Sequence, residues 1–327
     1  MSVYLFLEEE MKFKKLLSPA LLVSAAMIWG FAFAAQDAAS EVPAFTLGAV
    51  RSLLAGIFLV IIIPIFDRVH GGDRRLFSLS GKRPSVDLSR SELIGGAICG
   101  VILALASALQ QIGIASGTDG GKAAFITALY VVLVPIYGLA LKRRAPLNVW
   151  ISVGIAVVGF YFLCINDGFS IATEDLLVVG GALVFPFHIL AIDRFAPKCD
   201  GVRMSMVQFF VAAAVNAVLA LILDGATDPS LLLEHTLPVL FLGIGSSGIA
   251  YTLQIVGQKG TPPAAASILL SLESVFGVIG TAMFLGQTLR PREYIGCAIV
   301  LLAVILSQLS FGKKAIDSAL PEERIEK

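Results

Sequence analysis

QIGIASGTDGGKAA (residues 111–124) and QIVGQKGTPPAAAS (residues 254–267) decide how this chain folds. Gln254 follows Gln111 by 143 positions. Each stretch closes an apolar run on Gln-Ile, turns at Gly-Thr, and opens another apolar run, Ala123-Ala124 in one and Ala266-Ser267 in the other. Each then leads through a polar turn to a further run that begins with an aromatic residue and isoleucine, Trp150-Ile151 and Tyr294-Ile295. Upstream, Trp29-Gly30-Phe31 lines up with Phe185-Pro186-Phe187, and Asp37 with Asp193. The first matches recur at 143 or 144 positions and the upstream ones at 156, and such long-range self-similarity marks a duplicated unit.

The unit is made of membrane-spanning segments. Apolar runs recur at 16–35, 46–66, 93–115, 122–141, 147–165, 175–192, 204–223, 237–258, 263–285 and 292–311. Each has about 18–23 residues, which at about 1.5 Å per residue crosses a hydrocarbon core of about 30 Å. Only helices and closed barrels satisfy their backbone there, and barrel strands alternate over about 10 residues. The expectation is therefore an all-α integral membrane protein of ten transmembrane helices. Composition agrees: 57% of the chain is hydrophobic and 15% charged, with a mean hydropathy of +0.87, whereas soluble domains are about 25% charged. Five runs fall in each copy, 16–165 and 175–311, with tails at 1–15 and 312–327. Five is odd, so the second copy enters from the opposite face. Two inverted five-helix repeats are the plan of many secondary transporters, whose cargo site lies between the halves near the midplane.

Charge gives the orientation. With the N-terminus inside, the inner segments up to Lys314 carry eighteen Lys and Arg, including Lys12, Lys14 and Lys15, Lys142 to Arg144, and Lys259. The outer segments carry three, Lys122, Arg290 and Arg292, and acids such as Asp37, Glu41, Asp167 and Asp224. The positive-inside rule then puts both termini in the cytoplasm of a multi-pass plasma (bacterial inner) membrane. The balance of 24 basic and 24 acidic residues leaves no footprint for nucleic acid. Cys99, Cys164, Cys199 and Cys297 show no CxxC spacing, so no metal and no cofactor is expected. The loop 67–92 is long and polar, with no task of its own. The start of the chain has the charge pattern and the Ala32-Phe33-Ala34 site of a signal peptide. Its apolar run is nevertheless long enough to span and has a partner in the second half, so a retained first helix is expected. Residues 1–10 could be an extension ahead of a start at Met11.

Several of these residues resemble the drug/metabolite transporter superfamily in its ten-span EamA-type branch. They are Trp29-Gly30 in the first span, Arg51 in the second, the Gly-Thr turns, and Ser271-Leu-Glu273-Ser-Val-Phe276 in the ninth. The resemblance covers about residues 16–311. It implies a solute carrier, often an exporter of amino acids or other metabolites. Ser274 stands where the family usually has proline, Gln287 follows Gly286 where it often has Glu, and Tyr130-Val131 replaces the corresponding pair in the first half. These departures leave the cargo open.

Polar side chains inside spans are costly and are functional candidates for that reason. Glu273 falls near the midplane, where a carboxyl group without a counter-charge is expected to hold a proton; it could couple protons, bind a cargo amine, or tie two helices together. Arg51, near the outer end of its span, could snorkel or pair with Asp37 or Glu41, or meet a cargo carboxylate. His188 follows Pro186, which should loosen its helix. Tyr251, Gln254 and Gln258 share one helical face, as do Ser107, Gln110 and Gln111, and Thr127, Tyr130 and Tyr137. Such stripes line a cavity or a packed interface. Trp29 could be a stacking wall or a lipid-facing anchor.

Gly243-Ile-Gly245-Ser-Ser-Gly248 matches a dinucleotide motif but lies inside an apolar run, so close helix packing is the better reading. Gly117 to Ala123 is one residue short of a phosphate loop and lacks its Ser or Thr, so transport is expected to run on gradients. The function expected is a secondary transporter, an exporter of a small metabolite such as an amino acid or drug-like solute, working by alternating access in the lipid bilayer, with protons as candidate coupling ion. A channel would show flux that does not saturate, and a sensor would need a signalling domain. An enzyme would need paired catalytic groups, and His70, His188 and His235 are too scattered to supply them.

Overall fold

The computed structural model describes residues 2–69, 88–164, 172–225, 227–285 and 291–309. The loop 67–92 lies mostly outside them, as do Asp167, Gly286-Gln287, Arg290 and the tail from 310. Among the described residues there is no strand. Among the described residues nine helices are long and apolar enough to cross a membrane, and a tenth apolar helix is shorter. In chain order they are α1 (Leu16–Ala38), α2 (Ala44–Ile65), α3 (Arg90–Ala115), α4 (Gly120–Ala140), the shorter α5 (Leu147–Phe162), α6 (Asp175–Lys198), α7 (Gly201–Asp224), α8 (Thr236–Gln258), α9 (Pro263–Gly280) and α10 (Pro291–Gln308). The first helix begins earlier than its apolar run, at Ser2.

The helix ends are capped where they leave the apolar zone, because four backbone groups at each end lack a partner within the helix. Ser89 and Glu92 form a capping box at the start of α3. Asp119 accepts from the amides of Gly121 and Lys122 at the start of α4. Between α3 and α4 the chain turns through Gly117 at φ +118°, a conformation that glycine adopts without strain.

Contacts between helices are unchanged in kind when the halves are exchanged. α1 packs on α8 and α9, and α6 packs on α3 and α4; α2 packs on α8, and α7 on α3; α2–α7 and α5–α10 pair with their own counterparts. The symmetry extends to single atoms. A Cβ on Gly100 would meet the Gln208 carbonyl at 2.5 Å and Val211 Cβ at 2.9 Å. A Cβ on Gly243, 143 positions later, would meet Leu54 Cβ at 2.8 Å and the Arg51 carbonyl at 3.3 Å. Arg51 and Gln208 are thus equivalent positions, and so are Leu54 and Val211. The glycine motif of α8 is a packing surface, as its place in an apolar run suggests.

Polar ties fasten both ends of the bundle. At the end holding the α3–α4 turn, Asp175 accepts from Thr118 Oγ1 at 3.0 Å and pairs with Lys122. At the opposite end, Glu92 accepts from the Asp200 amide at 3.0 Å. Asp200 caps α7 through the Val202 and Arg203 amides and takes Arg203 Nη1 at 2.8 Å. Lys259 donates to the Cys199 carbonyl at 2.7 Å. Burial lowers the Lys259 pKa, against the opposing pull of nearby Asp200. Arg143 pairs with Asp193.

Asp200→Ala is expected to lower stability by about 3 kcal/mol or more, since it removes a cap and an acceptor for a buried guanidinium. A drop in the thermal unfolding midpoint of the purified protein would register it, and an unchanged midpoint would show that the cluster contributes nothing.

Candidate functional site

Two membrane helices are interrupted, at matching places. α4 breaks at Leu129, between Gly120–Ala128 and Tyr130–Ala140. α9 breaks at Ser271, between Pro263–Leu270 and Leu272–Leu285. Neither break falls on a proline; Pro135 stands six residues beyond the first. Hydrogen bonds tighten locally to the third residue back: Leu129 to the Ile126 carbonyl at 3.2 Å, Val132 to Leu129 at 3.0 Å, and Ser274 to Ser271 at 3.2 Å. The Ser271 hydroxyl donates to the Ile268 carbonyl at 2.8 Å, competing with the backbone ladder. Broken helices place half-helix ends and freed carbonyls beside a binding site in many transporters. Pro186 was the expected place for a break, yet α6 runs through it. One missing donor leaves the rest of the ladder in place.

A cavity of about 530 Å³, counting the space that opens to solvent, lies beside these breaks. Trp29, Arg51, Gln110, Tyr130, His188, Tyr251, Gln254 and Glu273 line it, together with Ser107 and Thr127. Many lining residues come in repeat-related pairs: Trp29 with Phe185, Ala32 with His188, Phe33 with Ile189, Thr127 with Leu270, and Tyr130 with Glu273. The backbone frame is duplicated while the chemistry is not. In the pairs Ala32–His188 and Thr127–Leu270 one member is polar and its mate apolar, so the two halves contribute different chemistry to the cavity.

Glu273 is 4% exposed. The Tyr130 hydroxyl approaches its carboxyl group, but the hydroxyl and Glu273 Oε1 both lack a hydrogen-bond partner of good geometry. Gln36 Oε1 and Gln254 Oε1 are also buried without a partner. Buried polar atoms are normally satisfied, so orphans gathered around one cavity fit a place filled by water or a polar ligand. Trp29 donates Nε1 to the Ser246 carbonyl at 3.2 Å and lies with its ring 4.5 Å from that of Tyr251. Phe209 and His188 also meet the Tyr251 ring, each at 5.7 Å. His188 Nε2 bonds Gln208 Oε1 at 2.9 Å. Gln110 donates to Thr127 Oγ1 at 2.7 Å across α3 and α4.

Gln111, Gln258 and Tyr137 take the packed-interface alternative, and Arg51 turns inward. Gln111 does not line the cavity; its amide donates to the Gln36 carbonyl at 3.3 Å and ties α3 to α1. Gln258 donates to the Ile189 carbonyl at 3.0 Å, and Tyr137 packs on Phe187 at 4.8 Å. A stripe three turns long outruns a short cavity, so its ends become helix ties. Arg51 neither snorkels nor pairs with Asp37 or Glu41. It is 8% exposed and donates Nε to Ser247 Oγ at 3.0 Å and Nη2 to Ser246 Oγ at 3.2 Å. Both serines lie in a π-helical stretch of α8, Phe241–Ala250, a wider winding often found at functional sites. Gln36, Phe33 and Ser246 were not singled out as lining residues. Gln36 looks like an interfacial residue at the end of a span, and Ser246 hides in a small-residue packing motif.

The chain matches a family model described as the EamA-like transporter family over residues 16–165 and 172–309. It is similar to an uncharacterized transporter of Archaeoglobus fulgidus, 28% identical over 90% of this chain and 87% of the relative. It is similar to the uncharacterized inner membrane transporter YedA of Escherichia coli, 23% identical over 91% of this chain and 93% of that one. It also resembles the threonine/homoserine exporter RhtA of Escherichia coli, 23% identical over 55% of this chain and 61% of RhtA. A crystal structure of a protein 17% identical matches with a TM-score of 0.69, covering 92% of this chain and 98% of the other, which speaks for the fold alone.

Proposed function

Since the chain belongs to the EamA-like transporter family, we propose that this membrane transporter is a secondary carrier that exports a small metabolite, such as an amino acid or drug-like solute. Cargo sits in the central cavity between the halves 16–165 and 175–311, which open alternately to either face. One observation carries this reading: orphaned polar atoms of Tyr130 and Glu273, at repeat-related positions, meet in one cavity beside two broken helices. A cavity framed by both repeats is what rocking one half against the other would expose to each side in turn.

Export is supported by the likeness to the exporter RhtA, and an inner-membrane location by the likeness to the inner membrane transporter YedA. Glu273 is the candidate for proton coupling or for a cargo amine, because it is the acid of the cavity and no cation pairs with it among the described residues. Trp29 and Tyr251 form the stacking wall. The excess of Lys and Arg on one set of loops supports both termini in the cytoplasm.

Comparison of all small metabolites inside and outside cells with and without the protein tests the reading. One compound or class should accumulate outside only when the protein is present, and no difference would sink it. Topology has its own test. Single cysteines placed in 116–121 and in 259–262 should react with impermeant maleimide from opposite sides of the membrane. Labelling of both from one side would overturn the inverted arrangement.

A further inference from the structure

We infer that Arg51 is an anion subsite of this cavity, built to receive a small monovalent anionic group, either a carboxylate on the cargo or a free anion. The inference rests on the reading of the cavity as a transport site. Arg51 is buried, and the hydrogen bonds of its guanidinium go to two neutral hydroxyls, Ser246 and Ser247. Its Nη1 makes none, and among the described residues no carboxylate pairs with it. A cation held in an apolar bundle by neutral partners alone is costly. The arrangement makes sense when an anion completes it, and the planar fork of arginine suits a carboxylate with two parallel hydrogen bonds.

The surroundings narrow the ligand further. The serines take Nε and Nη2, and Arg51 lines the cavity. Trp29 shares Ser246 with Arg51, through the carbonyl in one case and the hydroxyl in the other. An anion on Arg51 therefore lies beside the Trp29–Tyr251 pair, where the apolar body of a solute would rest. Glu273 lines the same cavity without pairing with Arg51. The repeat mate of Arg51 is Gln208, which bonds His188. The second half therefore has no equivalent cation, and the anionic end of a ligand has one place to go.

The test uses Trp29 as reporter. The chain has two tryptophans, so Trp150→Phe leaves Trp29 as the only tryptophan, read by excitation at the red edge where tyrosine does not absorb. The full chain is reconstituted in nanodiscs of zwitterionic lipid, and its emission is titrated with iodide, an anionic quencher, and with neutral acrylamide. Iodide quenching should saturate and acrylamide quenching should not. Sodium propionate should relieve iodide quenching at concentrations about tenfold or more below those needed with the isosteric propionamide. Arg51→Gln should abolish the saturable iodide component and keep acrylamide quenching, and Arg51→Lys should retain part of it. Relief by propionate but not by chloride assigns the subsite to a cargo carboxylate. Equal relief by chloride assigns it to a free anion, and either result supports the subsite. Non-saturating iodide quenching, or propionamide as effective as propionate, overturns it. The propionate comparison uses an unaltered cavity, so it decides even where Arg51→Gln fails to fold. No step measures transport, so failure here leaves the carrier reading standing, and failure of the metabolite comparison leaves this result standing.

Discussion

Glu273→Gln is expected to lower transport of the cargo roughly thirtyfold or more and to leave the remainder indifferent to pH. The side chain keeps its size, its burial and one of its oxygens, so the packing around α9 is preserved. What disappears is the ability to bind and release a proton, or to hold a cationic group as a carboxylate. Truncating one partner of a buried charged contact costs about 2–5 kcal/mol, and each 1.4 kcal/mol is about a factor of ten. Tyr130→Phe should give a smaller loss of the same kind, because the hydroxyl that approaches the carboxyl group is its repeat mate. The measurement is uptake of the identified cargo into inverted vesicles across a range of pH, with thermal unfolding as a check on folding. Full activity with the pH response of the unaltered protein would remove Glu273 from the mechanism.

That residue was legible in the sequence because it is a lone acid in the middle of an apolar run, and burial of such a group always demands a reason. Trp29, His188, Tyr251 and Gln254 were legible for the same kind of reason, as polar or amphipathic side chains on otherwise apolar faces. Periodicity gives the face but not the depth, which is why Gln111 and Gln258 were expected to belong to the same surface as Gln110 and Gln254. One turn along a helix moves a side chain about 5.4 Å, enough to carry Gln258 out of a short cavity, while Gln111, the residue after Gln110, is turned about 100° away from it; both become ties between helices. Arg51 shows a different limit. A long basic side chain one or two turns from the membrane edge can snorkel outward, and the two serines that hold it inward lie nearly two hundred residues away. The π-helical winding of Phe241–Ala250 has no pattern that hydropathy reveals. Gly100 and Gly243, spaced by the same 143 positions as Gln111 and Gln254, meet similar atoms on α7 and α2.

Gly30→Val is expected to prevent correct assembly, and Gly30→Ala to weaken it strongly. Gly30 is where α1 touches the second half of α9 backbone to backbone. A Cβ there would stand 2.5 Å from Phe276 Cβ, 2.7 Å from the Gly277 amide nitrogen and 2.8 Å from the Glu273 carbonyl oxygen. Two of these atoms are main chain and cannot turn aside as a flexible side chain would. The helices must separate, and the layer of packing between them goes too. Overpacking a dense interior costs about 1–3 kcal/mol for modest insertions and more where backbone must shift; membrane helices associate largely through such close van der Waals contact at small residues. Gly30 lies beside Trp29 in sequence and beside Glu273 in space, so separation would also displace both walls of the cavity. Gly154→Ala is the control, since a Cβ at that position meets nothing within 4 Å. Purified variants should show an unchanged unfolding midpoint for Gly154→Ala, a clear drop for Gly30→Ala, and aggregated or degraded protein for Gly30→Val. Equal midpoints for the two alanine variants would mean that α1 and α9 do not meet at this glycine.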